Sequence, residues 1–392
     1  MAPKMGEPQA GTIELVHYHV GGDGERALEA FLEEYRRTHT TAIDPISYDN
    51  TRLQVKSRIL DGDPPDVWTG WAGANLRAYD QANVLADVTD LFTETAMERN
   101  YRDVARDAAQ VDGVYRAVPY SMHRINDLYV NVAAAKAAGI DPSTPDSPRE
   151  FATLVAEADI DGAAFLLPMK EPWLVLQLWE LVLLGQYDHE TFEAVTGGRA
   201  RPNRDAIVDS LDIVATFAAA APDDAVYTSL VEANERFIAG DAPFYQQGDW
   251  AGGVFVGTTE FTYEDDWQRV AFPGTEDMYV VSIDAMTPSK AADMALIRPF
   301  LEYTGSPDGQ VAFTRAKGSL PARSDAPTDA LSAFGQDQAS ALERARDQPQ
   351  SIAHGLSATT QTRIELLDAF ASFMTDWDSD AATDQIIDVF EQ

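Results

Sequence analysis

Residues 12–37 read TIELVHYHVGGDGERALEAFLEEYRR. The first part alternates as a strand does, with Ile13, Leu15 and His17 on one side. Gly21, Gly22 and Gly24 then break the run, and apolar residues return with helical spacing at Ala27, Leu28, Phe31, Leu32 and Tyr35. Strand, glycine turn and helix make the opening of an α/β lobe. The pattern recurs with a strand over 42–48, a helix over 53–60, and a short strand over 66–68 after the Pro64-Pro65 break. Such alternation predicts a mostly parallel sheet.

Further strands are predicted over 113–120, 126–131, 242–246 and 278–283. Helical spacing covers 148–157, 173–185, 204–219, 227–239, 291–305, 308–314 and 360–377. No repeat or low-complexity linker separates these stretches. With 392 residues, 45% of them hydrophobic, the chain has enough apolar surface for two domain-sized cores. Two lobes joined by several crossing segments fit the pattern better than two independent beads.

The charge is extreme: 64 acidic against 29 basic residues, a net −35. Such a surface repels phosphate backbones and anionic membranes, so neither is expected as a partner. Only six of the basic residues are Lys and 23 are Arg. Acid excess with little Lys points to a protein built for molar salt, where the Debye length falls to roughly 3 Å and self-repulsion is screened. There is no Cys, which excludes disulfides, thiolate metal sites and a Cys nucleophile. The longest apolar stretch, Trp173 to Leu184, is too short to span a bilayer and contains Glu180. Met1 to Gly11 has no apolar signal-peptide region. Either a cytoplasmic chain or one exported by a segment upstream of Met1 is expected.

Gly22-Asp23-Gly24-Glu25-Arg26-Ala27 matches the dinucleotide fingerprint, yet Asp23 and Glu25 would put carboxylates where a pyrophosphate must sit. Two other readings stay open. Asp23 or Gly24 caps the helix, or Asp23 offers acceptors to a neutral polyol. The six His show no zinc-site spacing, and neither a Gly-x-Ser-x-Gly elbow nor a phosphate-binding Gly-x-x-x-x-Gly-Lys loop occurs. No metal and no cofactor are expected. The seven Trp are more telling, because an indole plane covers the C–H face of a sugar while planar polar groups take its hydroxyl rim. Trp250 is the least core-like, since Gly248-Asp249-Trp250 runs into Gly252-Gly253 and is expected to form a loop.

At these residues the sequence resembles the extracellular solute-binding receptors of ABC importers for sugars, along almost the whole chain. The resemblance is carried by ordered motifs: His17 to Gly24, Leu60 to Val67, Val118 to Asn126, Trp173 with Leu178-Trp179-Glu180, and Gly240 through Gly248-Asp249-Trp250. Lys317 to Arg323 and Ala353-His354-Gly355 complete the set. Within the family the sequence is most similar to receptors for glucose and related monosaccharides. The resemblance implies a two-lobed periplasmic-binding-protein fold of type II, with mixed, mostly parallel sheets flanked by helices and a ligand cleft closed by a hinge. The lobes are expected at 12–120 with 285–328 and at 121–284 with 329–392, preceded by a disordered linker over 1–11.

It also implies residue roles. Tyr18 and His19 fall where this branch has two aromatics, one stacking on the sugar, with His19 in place of Trp. Asp23 replaces a Glu that accepts from hydroxyls. Thr69 and Trp71 end the third strand, where Trp71 would exchange a hydrogen-bonding group for stacking surface. Trp250 would be a platform from the second lobe, Asp284 a rim carboxylate, Lys317 an ammonium donor and His354 a ring-nitrogen partner. Trp173 and His123 join them. Read on residue type alone, Asp284 is a solvated strand end and Lys317 a surface charge at a helix start, while His123 and His354 are as readily core or loop hydrogen-bonding groups as ligand contacts.

A non-catalytic, monomeric receptor for a neutral, glucose-like monosaccharide is therefore expected. It would serve a transmembrane permease at the cell surface, anchored by lipid through a segment upstream. A secreted carbohydrate-active enzyme, or a receptor for a disaccharide or glycerol phosphate, is the alternative.

Overall fold

The computed structural model describes residues 11–48, 50–141, 145–160 and 162–391. The linker expected at 1–11 lies, but for Gly11, outside the described residues. The chain opens with β1 (Thr12–His17), α1 (Gly22–Thr38), β2 (Ala42–Ser47), α2 (Thr51–Leu60) and β3 (Val67–Trp71). Next come β4 (Val118–Arg124), β5 (Asp127–Asn131), β6 (Phe165–Leu166), α3 (Pro172–Gln186), β7 (Phe244–Gln247), α4 (Asp249–Val256) and β8 (Trp267–Ala271). The last elements used below are β9 (Val281–Pro288), α5 (Pro307–Lys317) and α6 (Thr360–Asp376). Helices fill most of the intervals, so the chain is α/β throughout.

Two compact units result. One takes the chain up to Met122 with Ile283–Gly335, the other His123–Ser282 with Gln336–Gln392. The chain thus passes from one to the other three times.

In the first unit the sheet order is β2-β1-β3-β9-β4. β1 lies parallel to both β2 and β3, as the opening strand-turn-helix units require, while β9 returns antiparallel to β3. β3 is buried along its whole length, which suits a strand covered on both faces. It continues through Trp71, beyond the short strand expected, and so carries Thr69 and Trp71 within the sheet. α1 buries the predicted stripe Ala27, Leu28, Phe31, Leu32 and Tyr35. Acidic Asp23 and Glu25 occupy its first turn and Arg36 and Arg37 its last, matching the helix dipole at both ends. Phe31 meets the rings of Tyr303, Phe300 and Phe313 at 4.9, 6.0 and 6.3 Å.

The second unit has a sheet of order β8-β5-β7-β6. β5 is antiparallel to β8 and β7, and only β6 with β7 is parallel. Parallel pairing therefore belongs chiefly to the strands nearest the N-terminus. α3 is apolar all round and buried from Leu174 to Leu184, as a helix in the middle of a core must be. Its polar groups find partners inside: the Trp179 indole donates to Ser210 at 2.8 Å, the Gln177 amide donates to Gln247 Oε1 at 3.0 Å, and Glu180 accepts from the Ser351 hydroxyl at 2.8 Å.

Candidate functional site

The sequence-derived candidates form two clusters, one in each unit. In the first, β1 ends at His17 and the chain turns through Gly21 and Gly22, at φ 66° and 54°, a left-handed backbone that glycine adopts without a Cβ penalty. The turn presents Tyr18, His19 and Asp23. The Tyr18 hydroxyl donates to Asp284 Oδ1 at 2.6 Å, and its backbone N–H donates to Thr69 Oγ1 at 3.2 Å. Asp284 reaches this place because antiparallel register sets it opposite Trp71 and sets Met286 opposite Thr69. It is buried in mid-strand, which corrects the reading of a solvated strand end.

His19 is buried, with Nε2 2.6 Å from the Tyr120 hydroxyl and its ring 5.0 Å from Phe313. It is fixed by packing rather than presented as an open platform. Burial, with the charge of Asp284 second, pushes the Tyr18 and Tyr120 phenols well above their ordinary range. Both remain protonated donors at any working pH.

Asp23 is not the helix cap: α1 is preceded by Gly21, and no side-chain cap bond forms there. Its carboxylate instead pairs with Lys317. Lys317 is the buried last residue of α5, not a surface charge at a helix start, and Gly318 follows in the left-handed conformation that ends the helix. The ammonium thus also lies at the negative end of a helix dipole. Gly318-Ser319-Leu320 is held to β4 by paired backbone bonds between Leu320 and Met122, at 2.7 and 2.9 Å, and by Ser121 to Ser319 at 2.7 Å.

Trp71 corrects a further expectation. The guanidinium carbon of Arg52 lies 3.4 Å from the centroid of its ring, so one indole face is covered by a cation instead of standing open to a sugar.

The second unit gathers Trp173, Trp250, His123 and His354. Gly248-Asp249-Trp250 is not a loop: Asp249 opens α4, which runs through Gly252 and Gly253 to Val256. The helix forms because its start is held from below. The Tyr129 hydroxyl donates to the Gly248 carbonyl at 3.0 Å and accepts from the Gly252 N–H at 3.2 Å. Asp249 is fully buried, with Oδ1 2.6 Å from His123 Nδ1 and Oδ2 accepting from the Arg124 N–H at 2.9 Å.

The indole of Trp250 folds back over Gly248, where a Cβ would come within 2.4 Å of its six-membered ring. The half-exposed Trp250 ring stands 5.1 Å from His354 and 5.7 Å from His123. Trp173 meets His354 edge-on at 5.7 Å. The Trp250 indole N–H is buried and reaches no acceptor among the described residues. His354 is set by its own loop: Ser351 Oγ lies 3.0 Å from its Nδ1, and Glu180 accepts from the Ile352 and Ala353 N–H groups at 2.9 and 3.4 Å. Burial pushes the Glu180 carboxyl up to about 7 against these hydrogen bonds.

Sequence reasoning missed three supports of these clusters: Arg52, Tyr120 and Glu180. Glu180 was visible within a motif, but no local signal tied it to His354. Among the described residues no group of three or more His, Asp or Glu could hold a metal ion.

Residues 21–311 match the model of the bacterial extracellular solute-binding proteins. The chain belongs to that family. A curated relative of this solute-binding protein is the xylose/arabinose-binding protein XacG of Haloferax volcanii, 31% identical over 402 residues and covering 97% of this chain and 85% of the relative. Two solved structures share its fold. The solute receptor AcbH, described as having an exclusive preference for β-D-galactopyranose, matches with TM-score 0.82 at 14% identity, over 98% of each chain. A chitin oligosaccharide binding protein matches with TM-score 0.81 at 17% identity, over 97% of this chain and 98% of its own. Family members are receptors rather than enzymes, and no helix among the described residues is long and apolar enough to cross a membrane.

Proposed function

We propose that this solute-binding protein is an extracellular receptor for a neutral monosaccharide, a glucose-like hexose or a pentose, which it passes to the permease of an ABC importer. The observation that carries the reading is the corner made by Trp250, Trp173 and His354. Two half-exposed indoles offer apolar faces, the Trp250 N–H reaches no acceptor among the described residues, and the His354 ring packs against both indoles. That is the surface a ring with one C–H face and a hydroxyl rim needs. The first cluster supports neutrality, because Asp23 and Asp284 are matched in number by Lys317 and Arg52. The name of the Haloferax relative extends the reading to pentoses.

The net charge of −35 belongs, in this reading, to an exterior suited to concentrated salt. Titration calorimetry in molar KCl with D-glucose, D-galactose, D-xylose, L-arabinose, maltose and glycerol phosphate tests the proposal. One-to-one binding of at least one monosaccharide, without product, is expected. No heat and no thermal shift with any sugar would contradict it.

A further inference from the structure

Arg52 stands in the first turn of α2, just after Asn50, whose side chain caps the helix by accepting from the Leu53 N–H at 3.1 Å. The side chain is partly buried, and its guanidinium carbon lies over Trp71, 3.4 Å from the ring centroid, with the Tyr18 ring at 5.8 Å. Burial lowers its affinity for the proton, opposed by Tyr18, Asp284 and Tyr79.

Several other buried or partly buried arginines are matched by carboxylates, while Arg363 donates to the Ala353 carbonyl at 2.6 Å. Arg58 makes two bonds of 2.7 Å to Glu14, Arg116 reaches Asp80 at 2.7 Å, and Arg323 grips Asp325 at 2.8 and 2.7 Å. Arg52 forms no hydrogen bond and no ion pair among the described residues. In a chain with 64 acids for 29 bases, that contrast with Arg58, Arg116 and Arg323 needs a cause. Covering Trp71 leaves the five N–H donors in the plane of the guanidinium, a rigid fork suited to two neighbouring oxygens.

We infer that Arg52 is a ligand-contacting residue that holds two adjacent oxygens of the bound sugar and so sets which hydroxyl pattern is accepted. The inference rests on the receptor reading above. A neutral partner is favoured over a sugar acid because Asp23, Asp284, Lys317 and Arg52 already balance. On this account Trp71 serves as the platform for Arg52 rather than for the sugar.

Arg52→Met and Arg52→Lys, checked by thermal melting, are titrated with D-glucose, D-xylose, their monodeoxy derivatives and D-glucuronate. Arg52→Met is expected to weaken the preferred sugar at least tenfold. Arg52→Lys, which keeps the charge and loses the fork, should fall between it and the wild type; it carries the test if the Met variant fails to fold. One deoxy derivative should lose tenfold against the wild type and nothing further against the variant, because the missing hydroxyl is the one Arg52 held.

Parent binding within twofold of wild type in the folded variants, additive losses at every deoxy position, or preference for glucuronate would each overturn the role of Arg52. These results leave the receptor reading standing. A wild type that binds none of the sugars would overturn both.

Discussion

In the first unit the polar groups around Tyr18 meet one another: Tyr18 donates to Asp284, Lys317 pairs with Asp23, and His19 is tied to Tyr120. In the second, the corresponding surface is indole and imidazole, with charge kept one layer back in Asp249 and Glu180. The difference lies in where each unit keeps its charge. Where charges face the cluster they are balanced, and where they would not be balanced they are buried behind aromatic rings and bonded to backbone amides.

The comparison breaks most sharply at Asp284. Asp284→Ala removes the acceptor of Tyr18 and the carboxylate facing Arg52, so calorimetry should show a loss of about 3 kcal/mol in sugar binding, while the fold persists. Trp250→Ala should cost about 1–3 kcal/mol, by analogy with stacking of bases on aromatic side chains. Because the ring also packs against the second unit's core, the melting midpoint should fall as well. Comparable binding by both variants and wild type would place recognition elsewhere.

Gly248→Ala sharpens the contrast within the second unit. A Cβ 2.4 Å from the Trp250 ring must push the indole aside, costing about 1–3 kcal/mol of stability by overpacking. Chemical denaturation with calorimetry reads both consequences, since affinity should fall with the displaced ring.

A pH dependence separates the two units. Glu180 has a folded value raised from 4.5 to about 7 by burial. Its contribution to stability is therefore complete below the unfolded value and is lost as pH rises through about 7. The melting midpoint should decline between about pH 5 and pH 8, and Glu180→Gln should flatten that decline. An unchanged slope in the variant would assign the dependence to another group.

What was legible in the sequence followed from local periodicity. The strand, turn and helix over 12–37 stand where alternation and 3.6-residue spacing put them, because β1 and α1 bury their own apolar sides. The helix at Asp249 was not legible. Gly252 and Gly253 argue against helix by propensity, and the Tyr129 hydroxyl that holds its first turn comes from 119 residues away. Candidate residue types were recognisable, whereas their partners were not. Tyr18 and Asp284 are 266 residues apart, and Glu180 and Ser351 are 171 apart. Arg52 carries no signal in its neighbourhood, since the rings it meets, Trp71 and Tyr18, lie elsewhere in the chain.

A neutral ligand read by balanced charges has one consequence that an acidic or phosphorylated ligand would not share. Its affinity should not depend on salt, because no net charge is neutralised when it binds, even while the protein as a whole leans on screening. The decisive measurement is the dissociation constant of the preferred monosaccharide at several KCl concentrations within the folded range, with the melting midpoint recorded on the same samples. A flat affinity beside a midpoint that falls steeply as KCl is lowered toward about 0.1 M is the predicted result. An affinity that weakens steadily with added salt, beside a flat midpoint, would contradict it.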